Sequence, residues 1–484
     1  VVENTFFVPF YSKKSVFEVI LMQNINNSTK YPIMSEQNNS LTPPTKSTIP
    51  FIVIIENSKS QENFPPEKHR RHERKKVKVL FQIYDTKDEK GMYSISGPCK
   101  ISKGTIQIRG GGHAYVPKKS FSIRLTNKKG KKKMKSLMGM PKSDQWVLKS
   151  NSQDHTHLIN KLAYDIYEEM GHYAPKVQFV QVYFKSHFRT LESNGYWGLY
   201  SFESPVKRKG DKHVPTVHKN KGGFIIKQDH SRHSPTDHFS TIHNAPFKFR
   251  YPSFQSKKRY LLTEIKNRMD RCEKALMKGE NWREYIDEKA LIDYFILVDV
   301  FANPDSYYIQ KNIYYFLNNN GKIQPIPWDF GWSFGDWNIK EYCCKFSSGS
   351  WSLIHENKKL IFGDTKQSHL TDNGHKFYRY PLMQYLIKDQ EFVESFKSQY
   401  YKLRKGKEAV LSDESMVERI RNTAKPLTKQ IQLDCCNNTK SVYELNQLRW
   451  PSKESKKRLK CVPLKFTERL KFMDNEVRKL GEKT

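Results

Sequence analysis

The chain has 484 residues, with 84 Lys and Arg against 50 Asp and Glu, a formal charge of +34, and 37% hydrophobic and 13% aromatic residues. A substantial core can form, which excludes a wholly disordered chain and allows one large domain or two to three average ones. Such a charge attracts polyanions, but no zinc-finger, helix-turn-helix or RNA-recognition signature accompanies it, so no specific nucleic-acid partner is expected.

The chain begins with Val1, which fits a true start further upstream. Two early apolar runs, TFFVPFY and SVFEVILM, are too short or too interrupted for a signal peptide or a span, and nothing downstream reads as a transmembrane segment. Residues 22–50 are rich in Asn, Ser, Thr and Pro, so 1–50 reads as a linker or disordered arm. FIVIIE (51–56) is a buried-strand pattern, and Val77, Val79, Phe81 and Ile83 alternate as a half-buried strand does. Strands follow at 105–109 and 120–125, joined by a glycine-rich turn. QWVLKSNSQDHTHLINKLAYDIYEEMG then reads as strand, turn and helix, with Leu158, Leu162 and Ile166 at four-residue steps. Strand patterns return at 177–184, 196–203 and 223–228.

Residues 231–258, with His233, His238 and His243, read as a solvated loop insertion; His230 and Asp229 precede it. Helical patterns occupy 260–280 and 287–302, strands 312–317 and 322–328, and helices again 380–405 and 415–432. The chain therefore divides into a β-rich lobe with one inserted helix (51–230), a helical lobe (259–405) and a basic helical extension (406–484). This is an α+β chain of two lobes, with a cleft as the expected ligand site.

None of the seven cysteines forms a C-x-x-C pair, so no zinc site is expected. The adjacent pairs Cys343-Cys344 and Cys435-Cys436 would suit cross-bridging in an oxidising compartment, as sequons at Asn26, Asn27, Asn38 and Asn437 would suit secretion.

The chemistry gathers in FANPDSYYIQKNIYYFLNNNGKIQPIPWDFG (301–331). Asp305 follows a helix, Asn312 opens a strand, and Asp329 closes the next one. Phosphoryl transfer needs that set: one carboxylate for the attacking hydroxyl, and an amide and a second carboxylate for Mg²⁺, a hard ion that takes oxygen ligands. The order is similar to the H-R-D-x-x-x-x-N and D-F-G loops of protein kinases, but no His-Arg precedes Asp305, Asn312 lies further on, and no A-P-E follows. A conventional protein kinase is excluded. Upstream, Lys118 and Lys119 follow a glycine-rich turn and supply the cation that a phosphate requires.

Together these segments resemble the spore coat protein H (CotH) family of atypical, secreted protein kinases. The family's R-G-x-S-S-x-x-x-P-K-K-S-Y-x-I-x-L is matched by RGGGHAYVPKKSFSIRL, and W-x-L-x-x-x-x-x-D-x-T-x-x-R-N-x-L-A-Y-x-L by WVLKSNSQDHTHLINKLAYDI. Y-x-G-x-Y-x-L-x-E, G-G-Y-x-L and N-x-D…N-x-Y-Y…W-D-F-D-x-x-F-G are matched by YWGLYSFE, GGFII and NPDSYYIQKNIYYF…WDFGWSFG. The likeness runs from about residue 50 to 400. It implies a divergent kinase-like fold that transfers phosphate from ATP, with Mg²⁺, to Ser or Thr of secreted proteins. On that resemblance Asp305 is the catalytic carboxylate and Asp329 and Asn312 the metal ligands. Lys119, Lys118, Arg109 and Glu203 attend the nucleotide, and Glu203 and Asp154 fall on motif positions.

Four departures stand out: Gly112-His113 for Ser-Ser, Ile159 for the Arg before Asn160, Lys227 for a glutamate, and Gly331 for the second Asp of W-D-F-D. They leave open a second reading, a catalytically weak or inactive surface or coat protein that binds anionic surfaces or coat proteins. Either way a secreted or cell-surface location is expected.

Overall fold

A computed structural model describes residues 44–57, 64, 75–110, 116–186, 195–207, 223–228, 238–242, 246–252, 260–303, 306, 312–334, 385–406, 409–432, 439–452 and 455–480. Asp305, the adjacent cysteine pairs, the four sequons and His230, His233 and His243 lie outside them. In chain order the strands are β1 (Lys46–Ser47), β2 (Phe51–Glu56), β3 (Val77–Tyr84), β4 (Tyr93–Ser94), β5 (Lys100–Arg109), β6 (Ser120–Thr126), β7 (Gln145–Lys149), β8 (Val177–Lys185) and β9 (Tyr196–Glu203). They continue with β10 (Ile225–Gln228), β11 (His238–Ser240), β12 (Pro246–Tyr251), β13 (Tyr314–Leu317), β14 (Ile323–Ile326), β15 (Gln430–Gln432) and β16 (Thr439–Ser441). The helices are α1 (Ile159–Glu169), α2 (Tyr260–Lys278), α3 (Glu288–Val300), α4 (Gln390–Arg404), α5 (Asp413–Thr428), α6 (Val442–Arg449) and α7 (Ser455–Lys479).

The chain is α+β, as its pattern predicts, but its first half closes on itself. Seven strands form a barrel in the order β2-β3-β5-β6-β7-β9-β8, sealed by parallel pairing of β8 with β2. The alternation of β3 explains the wall: Val79, Phe81 and Ile83 point inward while Lys78, Leu80 and Gln82 point out. Inside, Trp146 stacks on Phe202 with ring centroids 5.0 Å apart. Gly104 is required on β5, because a Cβ there would lie 2.2 Å from the Arg124 carbonyl oxygen and 2.9 Å from the Phe81 ring.

A second sheet, β11-β12-β10-β13-β14, is antiparallel throughout. It unites strands from both halves of the chain. Residues 231–258, expected as a loop insertion, contribute β11 and β12. Phe247 and Phe249 alternate with Lys248 and Arg250, a strand pattern hidden among loop-forming residues. One face of this sheet, with Ile226, Phe247 and Tyr315, joins the main core formed with the helices. The other, with Tyr314, Phe316 and Ile326, meets Val147 of the barrel and Trp328.

The helix α3 is apolar nearly all round and is buried from Ala290 to Val300, as a central helix should be. Against its C-terminal end lies α7, whose fully buried Arg469 donates from Nε to the Asp299 carbonyl at 2.6 Å. Phe466 of α7 packs edge-on to both Phe301 and Phe334, at 5.0 and 4.9 Å between centroids. The short helix α6, opened by a Ser441–Glu444 capping box, lies on β9 of the barrel.

The close approach at Gly104 predicts that Gly104→Ala separates β5 from β6 and destabilises the chain by about 1–3 kcal/mol. The midpoint of urea unfolding measures it; an unchanged midpoint would show that the backbone moves aside at no cost.

Candidate active site

The site is built on the outer wall of the barrel. Trp146 and Leu148 of β7 face inward, so Val147 and Lys149 face outward. Antiparallel register sets Glu203 of β9 opposite Val147, and Ser201 opposite Lys149, on the same outer face. Lys149 and Glu203 are therefore fixed side by side by strand pairing alone.

Facing them is the segment after β14. Asp329 forms an ion pair with Lys149 at 2.5 Å between Oδ1 and Nζ. Its other oxygen, Oδ2, is 3.5 Å from Asn312 Nδ2. Asp329 and Asn312 both take left-handed backbone angles, φ 63 and φ 64, a region that Asp and Asn enter more readily than other side chains. Trp328 and Phe330, on either side, are buried, so the carboxylate has rigid shoulders.

Helix α1 clamps this segment by its backbone. Asp154 opens the helix, accepting from the Thr156 and Ile159 amides at 2.9 Å each. Four residues apart on the helix, Asn160 and Tyr164 reach the same place. The Tyr164 hydroxyl accepts from the Asp329 amide at 2.9 Å, and Asn160 Oδ1 accepts from the Phe330 amide at 2.9 Å and from Lys149 Nζ at 3.0 Å. Asp154, a motif position, thus organises the turn before the helix and takes its first amide, that of Ile159, while the N-cap position itself is Leu158. Burial pushes its carboxyl up, against the hydrogen bonds it accepts from Thr156 and Ile159.

Charge at the site is dense. Burial opposes the Lys149 charge, but Asp329 and Glu203 outweigh it and hold the ammonium above its ordinary value. Burial raises the Glu203 carboxyl, and Lys149 and Arg109 offset part of that rise. Glu203 is fully buried, and neither of its oxygens has a hydrogen-bond partner among the described residues. Arg109 lies over the Trp328 ring at 5.6 Å; Arg250 and Lys227 lie over Tyr314 at 5.8 and 5.9 Å. Burial alone would raise the Tyr314 phenol, yet these three cations bring it below its ordinary range. A collar of positive charge thus adjoins Asp329, a setting suited to phosphate.

The donor set also suits a hard cation: a carboxylate on Asp329, an amide on Asn312, and the orphaned carboxylate of Glu203 nearby. Among the described residues no group of three His, Cys, Asp or Glu could hold a metal ion. An ion here would draw the rest of its shell from phosphate and water, which is the habit of magnesium.

Of the residues expected from the sequence, Asp329, Asn312, Arg109 and Glu203 gather here. Lys118 is engaged elsewhere: its Nζ donates to the Leu199 carbonyl at 2.6 Å and to Asn446 of α6 at 2.9 Å, and burial pushes its ammonium well down. Lys119 is buried, with its carbonyl accepting from the Tyr200 hydroxyl at 2.9 Å. Asp305 lies outside the described residues, between Asn303 and Ser306, which hydrogen-bond to each other at 2.9 Å. Sequence reasoning missed Lys149, Asn160 and Tyr164. Their signals were present: the outward phase of W-V-L-K, and the four-residue spacing of Asn160 and Tyr164.

Gly331 has room for a side chain. Among the described residues a Cβ there would meet only Asn160 Nδ2, at 3.6 Å, and that amide nitrogen has no hydrogen-bond partner among them.

The raised Glu203 carboxyl has a calculable consequence for stability. The folded chain keeps this proton to a higher pH than the unfolded chain does. Stability therefore falls as pH rises from the unfolded carboxylate value through the raised folded value. Replacing Glu203 by Gln removes that slope. Urea unfolding of wild type and Glu203→Gln across acidic to neutral pH checks it, with parallel curves as the contrary result.

The family model for "CotH kinase protein" matches residues 106–449, well over half of the chain, and this span contains every residue of the site just described. No curated protein gives a significant match. On the family match, joined to the motifs that run in order through the same span, the chain belongs to the CotH kinase protein family.

Proposed function

We propose that the chain transfers the terminal phosphate of ATP, in the presence of Mg²⁺, to Ser or Thr hydroxyls of protein substrates. The observation that carries this reading is Asp329. It is ion-paired to Lys149, faces Asn312, and is held by α1 beside a collar of cations. In this reading Asp329 and Asn312 would hold magnesium, which when bound would neutralise charge on the phosphate oxygens. Lys149 takes the part of phosphate cation expected of Lys118 and Lys119, and Arg109 screens the same charge. Glu203, buried nearby, adds negative charge that favours the Lys149 ammonium. Asp305 accepts the proton of the attacking hydroxyl. The barrel and the helix-backed sheet are then the two lobes of a divergent kinase-like fold. Sequons and the adjacent cysteines of the sequence support work on secreted or surface proteins.

Mg²⁺-ATP is expected to stabilise the wild type by about 2.7 kcal/mol at a hundredfold excess over Kd. Asp329→Ala loses that stabilisation, and Asp305→Ala keeps it while losing transfer of labelled phosphate to a Ser-rich acceptor. A wild type whose melting is indifferent to Mg²⁺-ATP would refute the reading.

Gly331 favours a second reading, a weak catalyst retained as a surface or coat protein. Where the family pattern has a carboxylate, this chain has none, and Asn160 Nδ2 is left without an acceptor among the described residues. The two readings separate on Gly331→Asp. If the lost carboxylate limits metal binding, this variant lowers the Mg²⁺ needed for half-maximal ATP stabilisation by about tenfold, the scale of one added charge-assisted ligand. An unchanged requirement means that Asp329 and Asn312 suffice.

A further inference from the structure

The barrel carries a second charged feature, away from Asp329, on the outer face of β3, β5 and β6. Register sets Leu80, Lys103, Thr126 and Lys132 in one row across the wall, and Lys78, Thr105 and Arg124 in the next. Directly opposed residues share a face, so these cations point outward together. The connection from β6 to β7 adds exposed Lys128, Lys129, Lys131 and Lys133.

That connection is a built structure. Asn127 Oδ1 accepts from the Lys129 and Lys131 amides at 3.0 and 2.9 Å, and Gly130 takes the φ of 74 that the turn demands. Lys135 fastens the turn to β5 through the Ile101 carbonyl at 3.0 Å and the Ser102 hydroxyl at 2.7 Å. Burial, with the charges of Lys133 and Lys100, lowers the Lys135 ammonium, as crowding of like charge does. Two carboxylates at the ends of β3 and β7, Asp85 and Asp144, are paired to Lys100 and Lys207. The positive face is therefore not neutralised by them.

Two apolar side chains protrude among the lysines: Ile101 is 54% exposed and Met134 37%. The wall is convex and fully hydrogen-bonded, with no open strand edge to extend. An extended peptide gains no edge there. The apolar residues among the cations, Leu80, Ile101 and Met134, are aliphatic, so they offer no ring on which a base could stack. Cations that interleave with protruding aliphatic groups match the headgroup and upper acyl layers of an anionic bilayer.

We propose that this face binds peripherally to membranes rich in anionic phospholipid, with Ile101 and Met134 entering the interface. The surface is independent of the phosphoryl-transfer reading and stands or falls separately from it. No described helix is long and apolar enough to cross a membrane.

The test is co-sedimentation of the full chain with vesicles of phosphatidylcholine, and with vesicles in which about one-third is phosphatidylserine. Binding is expected only to the second and is lost between roughly 0.1 and 0.5 M salt. Each lysine at such a surface strengthens binding about fivefold. The quadruple variant Lys129→Gln, Lys131→Gln, Lys132→Gln, Lys133→Gln should therefore bind at least about a hundredfold more weakly. Ile101→Ser with Met134→Ser should weaken binding about tenfold without changing the salt slope. Absence of wild-type binding to the anionic vesicles overturns the proposal, as does binding that resists salt. So does indifference to the Ile101 and Met134 changes, since charge alone does not single out a bilayer. Tighter retention on polyglutamate or RNA than on vesicles would assign the face to those polymers instead.

Discussion

One ion pair joins the two sheets of this protein at its chemical centre. Lys149 is fixed by the barrel, and Asp329 by the turn that ends the second sheet. Both charges are largely withdrawn from water, which costs several kcal/mol per ion unless every lone pair and proton finds a partner. The surroundings supply those partners: Asn160 takes a second proton of Lys149, Tyr164 takes the Asp329 amide, and Asn312 faces the remaining carboxylate oxygen. Glu203 adds a second negative charge behind the lysine and has no hydrogen bond of its own among the described residues. The arrangement is held by geometry set elsewhere, by strand register on one side and by helix α1 on the other.

The elements were largely legible from residue pattern, because alternation and four-residue steps are local properties. Val79, Phe81 and Ile83 announced a strand, and Leu158, Leu162 and Ile166 a helix, without reference to any distant residue. Barrel closure was not legible. It depends on parallel pairing of Phe51–Ile55 with Gln181–Lys185, a contact between segments over a hundred residues apart that no local periodicity encodes. The strand at Pro246–Tyr251 was hidden for a different reason: its apolar residues are two phenylalanines set between cations, and neighbouring histidines, prolines and serines give the stretch the composition of a loop.

Of the residues gathered round Asp329, the acidic and amide ones were legible because Asp and Asn in that order are the ligand types a hard cation would need. The lysine was not. Lys118 and Lys119 follow glycines and are conspicuous, whereas Lys149 ends an ordinary apolar strand. Lys118 instead holds α6 to the barrel through Asn446. Which lysine meets Asp329 is decided by which strand face looks toward β14, a tertiary fact. Asp154 shows the converse: a carboxylate in a motif whose visible work is to start a helix.

The last helix has implications beyond its own packing. The family match ends at residue 449, whereas α7 begins at Ser455. Yet Phe466 covers Phe301 and Phe334, Phe301 in turn meets the ring of Phe330, and Arg469 ties the end of α3. The family's boundary in sequence is thus not a boundary of cooperative folding. A fragment cut at residue 449 would bare the Phe301 and Phe334 rings that Phe466 covers and leave the buried Asp299 without its arginine, the exposure that drives chains to associate. For this protein, the smallest unit that can carry the site is longer than the stretch by which its family is recognised.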